Sequence, residues 1–207
     1  MKIAIIGTGN VGSALARGLK KSSHRVVLGA RNITDSATQD LAADAGAELT
    51  SPAEAAKSAE LVVLALPWNV AEAAVKALGD LSGKIVIDCM NPLGMIDGVL
   101  GLLLGHTTSG GEIVAAWLPG ARVVKTLNQV GAEIMANTAG LTGHVGSVPC
   151  RRQSLVLTVR HPRQHEGLLK GCRILKASLE LLFETCRRLR SSRMAAGNAV
   201  GGHRTLN

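Results

Sequence analysis

A glycine-rich turn close to the amino terminus constrains this chain more than any other feature of its sequence. The apolar run Lys2–Ile6 leads into Gly-Thr-Gly-Asn-Val-Gly at positions 7–12, and a helical pattern follows. Gly7 allows a tight bend out of the strand, Gly9 lets a pyrophosphate approach the backbone, and Gly12 lets the helix pack close to the sheet. The first N–H groups of the helix have no internal partner and favour an anion. The turn predicts dinucleotide binding; the alternative is a glycine-rich turn without a ligand.

The end of the second apolar run indicates which dinucleotide binds. NAD sites usually carry Asp or Glu there to hold the ribose hydroxyls. This chain instead reads Ala30-Arg31-Asn32, and its first acid is Asp35. The planar guanidinium of Arg31 suits a 2′-phosphate, and one charge-assisted hydrogen bond contributes roughly 1.5–3 kcal/mol. We therefore predict NADP rather than NAD; the alternative is that Arg31 is an ordinary surface charge.

Short apolar runs alternate with helical patterns over the first two thirds of the chain. The predicted strands are Lys2–Ile6, Arg25–Leu28, Leu61–Leu66, Lys84–Asp88 and Arg122–Leu127, with a weaker one at Glu48–Thr50. The predicted helices are Val11–Lys20, Ser36–Ala45, Pro52–Ala56, Val70–Leu78, Glu112–Leu118 and Ala132–Ala136. The alternation predicts an α/β fold, a Rossmann-type doubly wound parallel sheet with its ligand at the carboxyl ends of the strands. The Gly-rich stretch 94–111 is expected to be an irregular, mobile loop near the mouth of the site.

Charge divides the chain into two parts. The net charge is +8, yet residues 1–150 carry 11 basic and 12 acidic side chains, whereas the remaining 57 carry 12 basic and 3 acidic ones. We predict an NADP-binding Rossmann domain over residues 1–148 and an atypical basic C-terminal segment over residues 149–207. The segment has a single aromatic residue, Phe183. Because aromatic residues are not interleaved with its charges, nucleic-acid binding is disfavoured.

Cysteine usage and hydropathy predict a cytoplasmic protein without a metal or a membrane span. The cysteines are Cys89, Cys150, Cys172 and Cys186. They form no Cys-x-x-Cys pair, which fits a reducing compartment. No apolar run reaches membrane-spanning length, and Gly7 interrupts the N-terminal run too early for a signal peptide. His161 and His165 are four residues apart, but Pro162 and the adjacent arginines favour a solvated segment over a metal pair.

Six stretches together resemble the NADP-dependent oxidoreductases that use the deazaflavin coenzyme F-420, whose cofactor domain is shared with pyrroline-5-carboxylate reductases. These stretches are Gly7–Gly12, Gly29–Arg31, Ala65–Trp68, Ile87–Pro92, Ala115–Asn128 and Gly131–Asn137. The resemblance covers roughly residues 1–140 and ends there. It implies cofactor binding by Gly7, Thr8, Gly9, Asn10, Val11, Gly12, Ala30, Arg31, Asn32, Leu66, Pro67, Trp68, Asn91 and Pro92.

The resemblance also implies a role for individual positions. Thr8, Asn10 and Val11 would offer hydroxyl and backbone N–H groups to the pyrophosphate. Ala30 stands where relatives often carry Ser, so one hydrogen bond to the 2′-phosphate is missing, while Arg31 keeps the main contact.

At the nicotinamide end, Leu66-Pro67-Trp68 would border the ribose, and Asn91-Pro92 would shape the pocket. The alternatives are that Trp68 fills the core and that Asn91-Pro92 is only a turn. The implied reaction is direct hydride transfer between nicotinamide and deazaflavin, which needs stacked rings and excluded water but no acid or base. We therefore assign no catalytic residue.

After residue 140 the chain departs from the family. The resemblance implies an ending similar to Pro-Leu-Ala-Met-Leu-Trp, whereas this chain is rich in Arg as far as Asn207. Read one nucleotide later, the codons for Met194–Gly201 permit Trp, then Pro or Leu, Leu, Ala, Met, Leu and Trp. We interpret the tail as at least partly frameshifted; the alternative is a genuine basic extension. A frameshifted tail would pack poorly because its patterning was not selected, and turnover could be lost while cofactor binding survives.

The sequence is compatible with several functions. The first is an NADP-dependent oxidoreductase that transfers a hydride between NADPH and coenzyme F-420 or a similar small substrate. The second is a reductase of a small imine or carbonyl compound, and the third is an NADP-binding protein without turnover. The expected partner is a small-molecule substrate, and the resemblance allows a homodimer.

Overall fold

The computed structural model describes residues 1–104, 107–128, 131–136, 145–149 and 155–159. Its strands are β1 (Lys2–Ile6), β2 (Arg25–Gly29), β3 (Glu48–Thr50), β4 (Leu61–Leu64), β5 (Ile85–Asp88), β6 (Leu93–Ile96), β7 (Val99–Leu102), β8 (Arg122–Lys125), β9 (Val145–Pro149) and β10 (Leu155–Val159). Its helices are α1 (Asn10–Leu19), α2 (Ser36–Ala45), α3 (Pro52–Ser58), α4 (Trp68–Lys76), α5 (Gly110–Trp117) and α6 (Ala132–Ala136).

Eight of these strands form one sheet in the order β3-β2-β1-β4-β5-β8-β10-β9. Every neighbouring pair is parallel except β10 with β9. This is the Rossmann-type doubly wound sheet that the sequence predicts. Each predicted strand and helix is present, with its ends shifted by no more than two residues.

Alternate residues of β1 belong to the two opposite faces of the sheet. Ile3 and Ile5 pack in one apolar cluster with residues of α1, α2 and α6. Ala4 and Ile6 pack in a second cluster with residues of α3, α4 and α5. Because helices cover both faces, the strand is apolar at successive positions rather than alternately. Complete burial of one such isoleucine contributes about 1.5–3 kcal/mol.

The last two strands of the sheet lie near the predicted domain boundary at residue 148. β10 pairs in parallel with β8, and β9 pairs with β10 in the antiparallel direction. The remainder of the predicted basic segment, with His161, His165 and the frameshift signature at 194–201, lies outside the described residues. The two-part division of the chain stays a prediction.

No helix in the described part of the chain is long and apolar enough to span a membrane. Within the same residues, no group of three or more His, Cys, Asp or Glu side chains could hold a metal ion.

The expectation of an irregular loop after Gly94 is wrong for its first part. β6 and β7 form an antiparallel hairpin, with Leu93 opposite Leu102 and Ile96 opposite Val99. The hairpin forms because Asp97 and Gly98 adopt left-handed backbone conformations, with φ of +49° and +80°. An Asp-Gly pair with positive φ at both positions matches the twist of the flanking strands, and it is a strong hairpin signal.

We predict that Gly98→Ala loosens the hairpin selectively. A Cβ at a left-handed position costs roughly 1–2 kcal/mol, so amide hydrogen exchange in β6 and β7 should accelerate at least about fivefold. Exchange in β1 and β4 should not change. Asp97→Asn is the control, because Asn tolerates the left-handed region and should leave exchange close to that of the wild type. Equal exchange in the Gly98→Ala and wild-type hairpins would contradict the left-handed turn at Asp97-Gly98.

Candidate functional site: a cleft at the switch point of the sheet

A cleft lies where the strand order of the sheet reverses. β1 has β2 on one side and β4 on the other, so the connections that leave β1 and β4 diverge and open a crevice at their carboxyl ends. The cleft has a volume of about 230 Å³. It is lined by Gly9–Val11 after β1, Ala65–Pro67 after β4, and Cys89–Asn91 after β5.

Two glycines of the turn are required by close packing of backbone on backbone. Gly7 has a φ of +108°, a region that favours glycine, and a Cβ there would collide with the carbonyl oxygen of Ala65. A Cβ on Gly12 would collide with the carbonyl oxygen of Gly7. The first turn of α1 therefore lies directly against the end of β1.

Gly9 differs from the other two glycines, because the described residues leave room for a side chain there. No atom lies within 4 Å of the position that its Cβ would take. Gly9 is the N-cap residue of α1, and within the described chain no side chain caps this end. The carbonyl oxygen of Thr8 accepts a hydrogen bond from Ser13 Oγ at 2.9 Å. Because Gly9, Asn10 and Val11 line the cleft, the first N–H groups of α1 and the positive end of its dipole lie at the cleft. This arrangement favours an anion.

The end of β2 presents an available cation, while the nearest acid along the chain is already engaged. Arg31 is exposed, and among the described residues its side chain has no hydrogen bond or ion pair. Asn32 Oδ1 accepts hydrogen bonds from the Thr34 N–H at 3.1 Å and the Thr34 hydroxyl at 2.8 Å. Asp35 accepts the Thr38 N–H at 3.0 Å and caps α2. The carboxylate is therefore committed to the helix, and the guanidinium of Arg31 can bind a ligand.

Two of the three predicted cofactor residues after β4 line the cleft. Leu66 and Pro67 line the cleft. Trp68 begins α4 and packs against Trp117, with ring centroids 5.4 Å apart and planes inclined at 34°. Its ring also packs against the apolar cluster on that face of the sheet.

The segment after β5 is tied to the segment after β8. Asn91 Nδ2 donates to the carbonyl oxygen of Asn128 at 2.9 Å, and Asn128 Nδ2 donates back to Asn91 Oδ1 at 3.2 Å. Pro92 is buried beside Gly110 at the start of α5. Asn91 therefore lines the cleft with its side chain held by Asn128, while Pro92 is buried against the start of α5.

A buried ion pair, which the sequence reasoning missed, lies next to Cys89–Asn91, the wall that follows β5. Asp88 is fully buried, and its Oδ2 is 3.1 Å from Lys125 Nζ. Burial raises the pKa of the Asp88 carboxyl, while the charge of Lys125 and the N–H of Met90 act in the opposite direction. Burial, with the charge of Asp88 adding to it, raises the pKa of the Cys89 thiol to about 12. The thiol is therefore neutral at physiological pH.

The structure brings together six of the fourteen predicted cofactor residues at the cleft: Gly9, Asn10, Val11, Leu66, Pro67 and Asn91. Gly7 and Gly12 support the turn, and Ala30 is buried at the end of β2. Sequence reasoning did not select three further lining residues: Ala65, Cys89 and Met90. The available signal was their position directly after an apolar strand, where α/β sheets bind ligands.

The comparison with protein families agrees with the motifs. Residues 2–92 match the sequence model of the family described as "NADP oxidoreductase coenzyme F420-dependent". The predicted resemblance is confirmed over this stretch. The solved structure of a protein from Arthrobacter sp. FB24, assigned as a putative F420-dependent NADP reductase, is similar with a TM-score of 0.67 and 29% identity. That similarity covers 90% of this chain and 80% of the Arthrobacter chain.

Two curated relatives match shorter segments. Metalloreductase STEAP3 of Rattus norvegicus is 30% identical over 131 residues, which is 63% of this chain and 25% of the rat protein. The ketol-acid reductoisomerase (NADP(+)) of Tropheryma whipplei strain TW08/27 is 40% identical over 78 residues, which is 36% of this chain and 23% of that enzyme. The matches thus span about a quarter of the length of each relative.

We predict that alanine affects different properties of the protein at two glycines of the turn. Gly9→Ala should leave the free energy of unfolding within about 1 kcal/mol of the wild type, because the methyl group enters open space and alanine is only a poorer N-cap. It should weaken NADPH binding, since that space is the cleft. Gly12→Ala should lose at least about 1–3 kcal/mol of stability by overpacking against Gly7.

Urea unfolding and nucleotide titration of both variants measure the two effects. Strong destabilisation by Gly9→Ala, or unchanged NADPH affinity in a folded Gly9→Ala protein, would contradict the assignment of this space to a ligand.

Proposed function

We propose that the chain binds NADP in the cleft at the switch point and acts as an NADP-dependent oxidoreductase. The observation that carries this proposal is the open space at Gly9, beside a helix N-terminus that no described side chain caps and between three strand ends. A pyrophosphate fits this arrangement, because α1 offers N–H donors and a positive dipole end. The family match over residues 2–92 and the NADP-dependent relatives support the same cofactor.

Arg31 would select NADP over NAD. Its guanidinium lies at the carboxyl end of β2 and has no partner among the described residues. An NAD site usually carries a carboxylate here for the ribose hydroxyls, and Asp35 is already engaged as the cap of α2. A 2′-phosphate would accept charge-assisted hydrogen bonds from the guanidinium of Arg31.

The part of the cleft lined by Leu66, Pro67 and Cys89–Asn91 suits hydride chemistry. Of the residues that line it, Cys89 alone carries a titratable side chain, and its thiol stays protonated. Leu66, Pro67 and Met90 add apolar surface, which excludes water. Bound NADPH supplies a hydride, and the residues of this chain would orient it and keep the site dry. General acid or base catalysis is not required for that step.

We infer that the acceptor is coenzyme F-420 or a similarly flat, small molecule. The base of the β6–β7 hairpin adjoins the cleft, since the Leu93 N–H donates to the carbonyl oxygen of Asn91 at 2.8 Å. The hairpin exposes large apolar side chains, among them Met95 at 67% and Leu100 at 65%. An apolar surface beside a hydride site is suited to pack against a planar ring.

The test is NADPH oxidation with defined acceptors. We expect bleaching of coenzyme F-420 absorbance in the presence of NADPH, and none with NADH at the same concentration. Reduction of a cyclic imine or a small ketone instead would replace the acceptor but keep the oxidoreductase. NADPH binding without oxidation by any acceptor would favour an NADP-binding protein without turnover, and the absence of nucleotide binding would refute the proposal.

Arg31→Ala should lower the affinity for NADPH and leave that for NADH unchanged. The loss of charge-assisted hydrogen bonds of roughly 1.5–3 kcal/mol corresponds to about 10- to 150-fold in the dissociation constant. Titrations followed by nucleotide fluorescence measure both ligands. Arg25→Ala is the matched control, because Arg25 is an exposed arginine at the opposite end of the same strand. An equal effect of the two substitutions would show that general charge, not 2′-phosphate recognition, is responsible.

A further inference from the structure

Lys125, at the end of β8, is nearly buried and connects three elements behind the cleft. Its side chain is 11% exposed, and its Nζ lies 3.1 Å from Asp88 Oδ2 at the end of β5. The same Nζ donates a hydrogen bond to the carbonyl oxygen of Met90. Its stem packs under α5, where a Cβ on Gly111 would lie 3.1 Å from Lys125 Cβ. The position of the ammonium group is thus fixed by β8, β5 and α5 together.

The pair holds the backbone of Met90 from both sides. Asp88 Oδ1 accepts a hydrogen bond from the Met90 N–H at 2.8 Å, and Lys125 Nζ donates one to the carbonyl oxygen of the same residue. Met90 is the middle residue of Cys89–Asn91, the wall that β5 contributes to the cleft. With both polar groups of Met90 engaged, this wall cannot rotate without breaking a buried interaction.

Stability alone does not account for this arrangement. The desolvation of a buried ion pair offsets much of its Coulomb attraction, and apolar residues of similar volume often stabilise equally well. Lys84, at the amino end of β5, is held differently. It donates to the carbonyl oxygens of Ala56, Lys57 and Ala59 at 2.7, 2.7 and 2.9 Å. The buried charged pair occurs at the end of the strand where the cleft lies.

We propose that Lys125 and Asp88 are a positioning pair that fixes the Cys89–Asn91 wall against the nicotinamide end of the bound cofactor. The proposal rests on the proposed NADP function, and it adds residues that neither line the cleft nor belong to the glycine turn. The pair does not touch the cofactor and transfers no proton. It acts through the main chain of Met90.

The test compares Lys125→Met with Lys84→Met in the full chain. Both substitutions remove a lysine next to β5 whose ammonium group binds main-chain carbonyl oxygens, at the carboxyl and amino ends of the strand respectively. We also include Asp88→Asn combined with Lys125→Met, because the double variant leaves no unpaired buried carboxylate while it still frees the Met90 carbonyl oxygen. The amide oxygen that replaces the carboxylate would still accept the Met90 N–H.

Two nucleotide probes distinguish a role in positioning the wall from a general loss of protein stability. NADPH occupies the whole site, whereas 2′-phospho-ADP-ribose lacks the nicotinamide. We expect Lys125→Met and the double variant to lower NADPH affinity about tenfold and to bind 2′-phospho-ADP-ribose as the wild type does. Lys84→Met should lose stability but keep the ratio of the two affinities. A parallel fall for both probes, or no change for either, would overturn the positioning role.

Labelling of Cys89 reports on the wall without any ligand. The thiol is buried and protonated in the native state, so N-ethylmaleimide should react slowly, and mass spectrometry of the Cys89 peptide isolates its rate. We expect at least about tenfold faster labelling in Lys125→Met and in the double variant than in Lys84→Met. Equal rates in all variants would overturn the proposal. If the wild type binds neither nucleotide but the labelling difference holds, the NADP function fails and the fixed wall remains.

Discussion

The contact between the first turn of α1 and the carbonyl oxygen of Gly7 is the constraint on which the rest of the site depends. Only a residue without a Cβ can stand at Gly12, and this close approach brings the amino end of the helix to the carboxyl edge of β1. The positive end of the helix dipole then lies at the switch point between β1 and β4. The space left free at Gly9 can serve as a binding site because the helix is anchored so close to the strand.

The segments that line the cleft differ in their electrostatics. At Gly9–Val11 the helix terminus attracts phosphate groups, and Arg31, which no described residue pairs, follows the neighbouring strand β2. At Cys89–Asn91 the lining carries no charge, because the Cys89 thiol is neutral and the buried charge of Asp88 is matched by Lys125. Anionic groups are therefore favoured at the first segment and uncharged groups at the second. This difference supports the proposed NADP site.

Strand and helix assignment could be made from the sequence because apolar runs and turn residues act over a few positions. β1 to β5, β8 and the six helices of the described residues follow from that local pattern. The hairpin β6–β7 was missed, although Asp97-Gly98 carries a strong turn signal, because the glycines of this stretch suggested irregularity. Trp68 was ambiguous for a different reason: its aromatic ring fits a cofactor wall and a core equally well, and only its packing on Trp117 shows where it lies.

The sequence by itself determined the individual strands and helices, the glycine turn and the arginine at the end of β2, because each depends on residues close together in the chain. Tertiary structure decided which residues meet across the cleft. Cys89 and Met90 reach it because β5 lies beside β4, and Lys125 meets Asp88 because β8 lies beside β5. Such contacts join residues separated by dozens of positions, and the charge of a lone Lys or Asp does not reveal its partner. Burial then makes that pairing obligatory, because an unpaired charge in the interior is strongly destabilising.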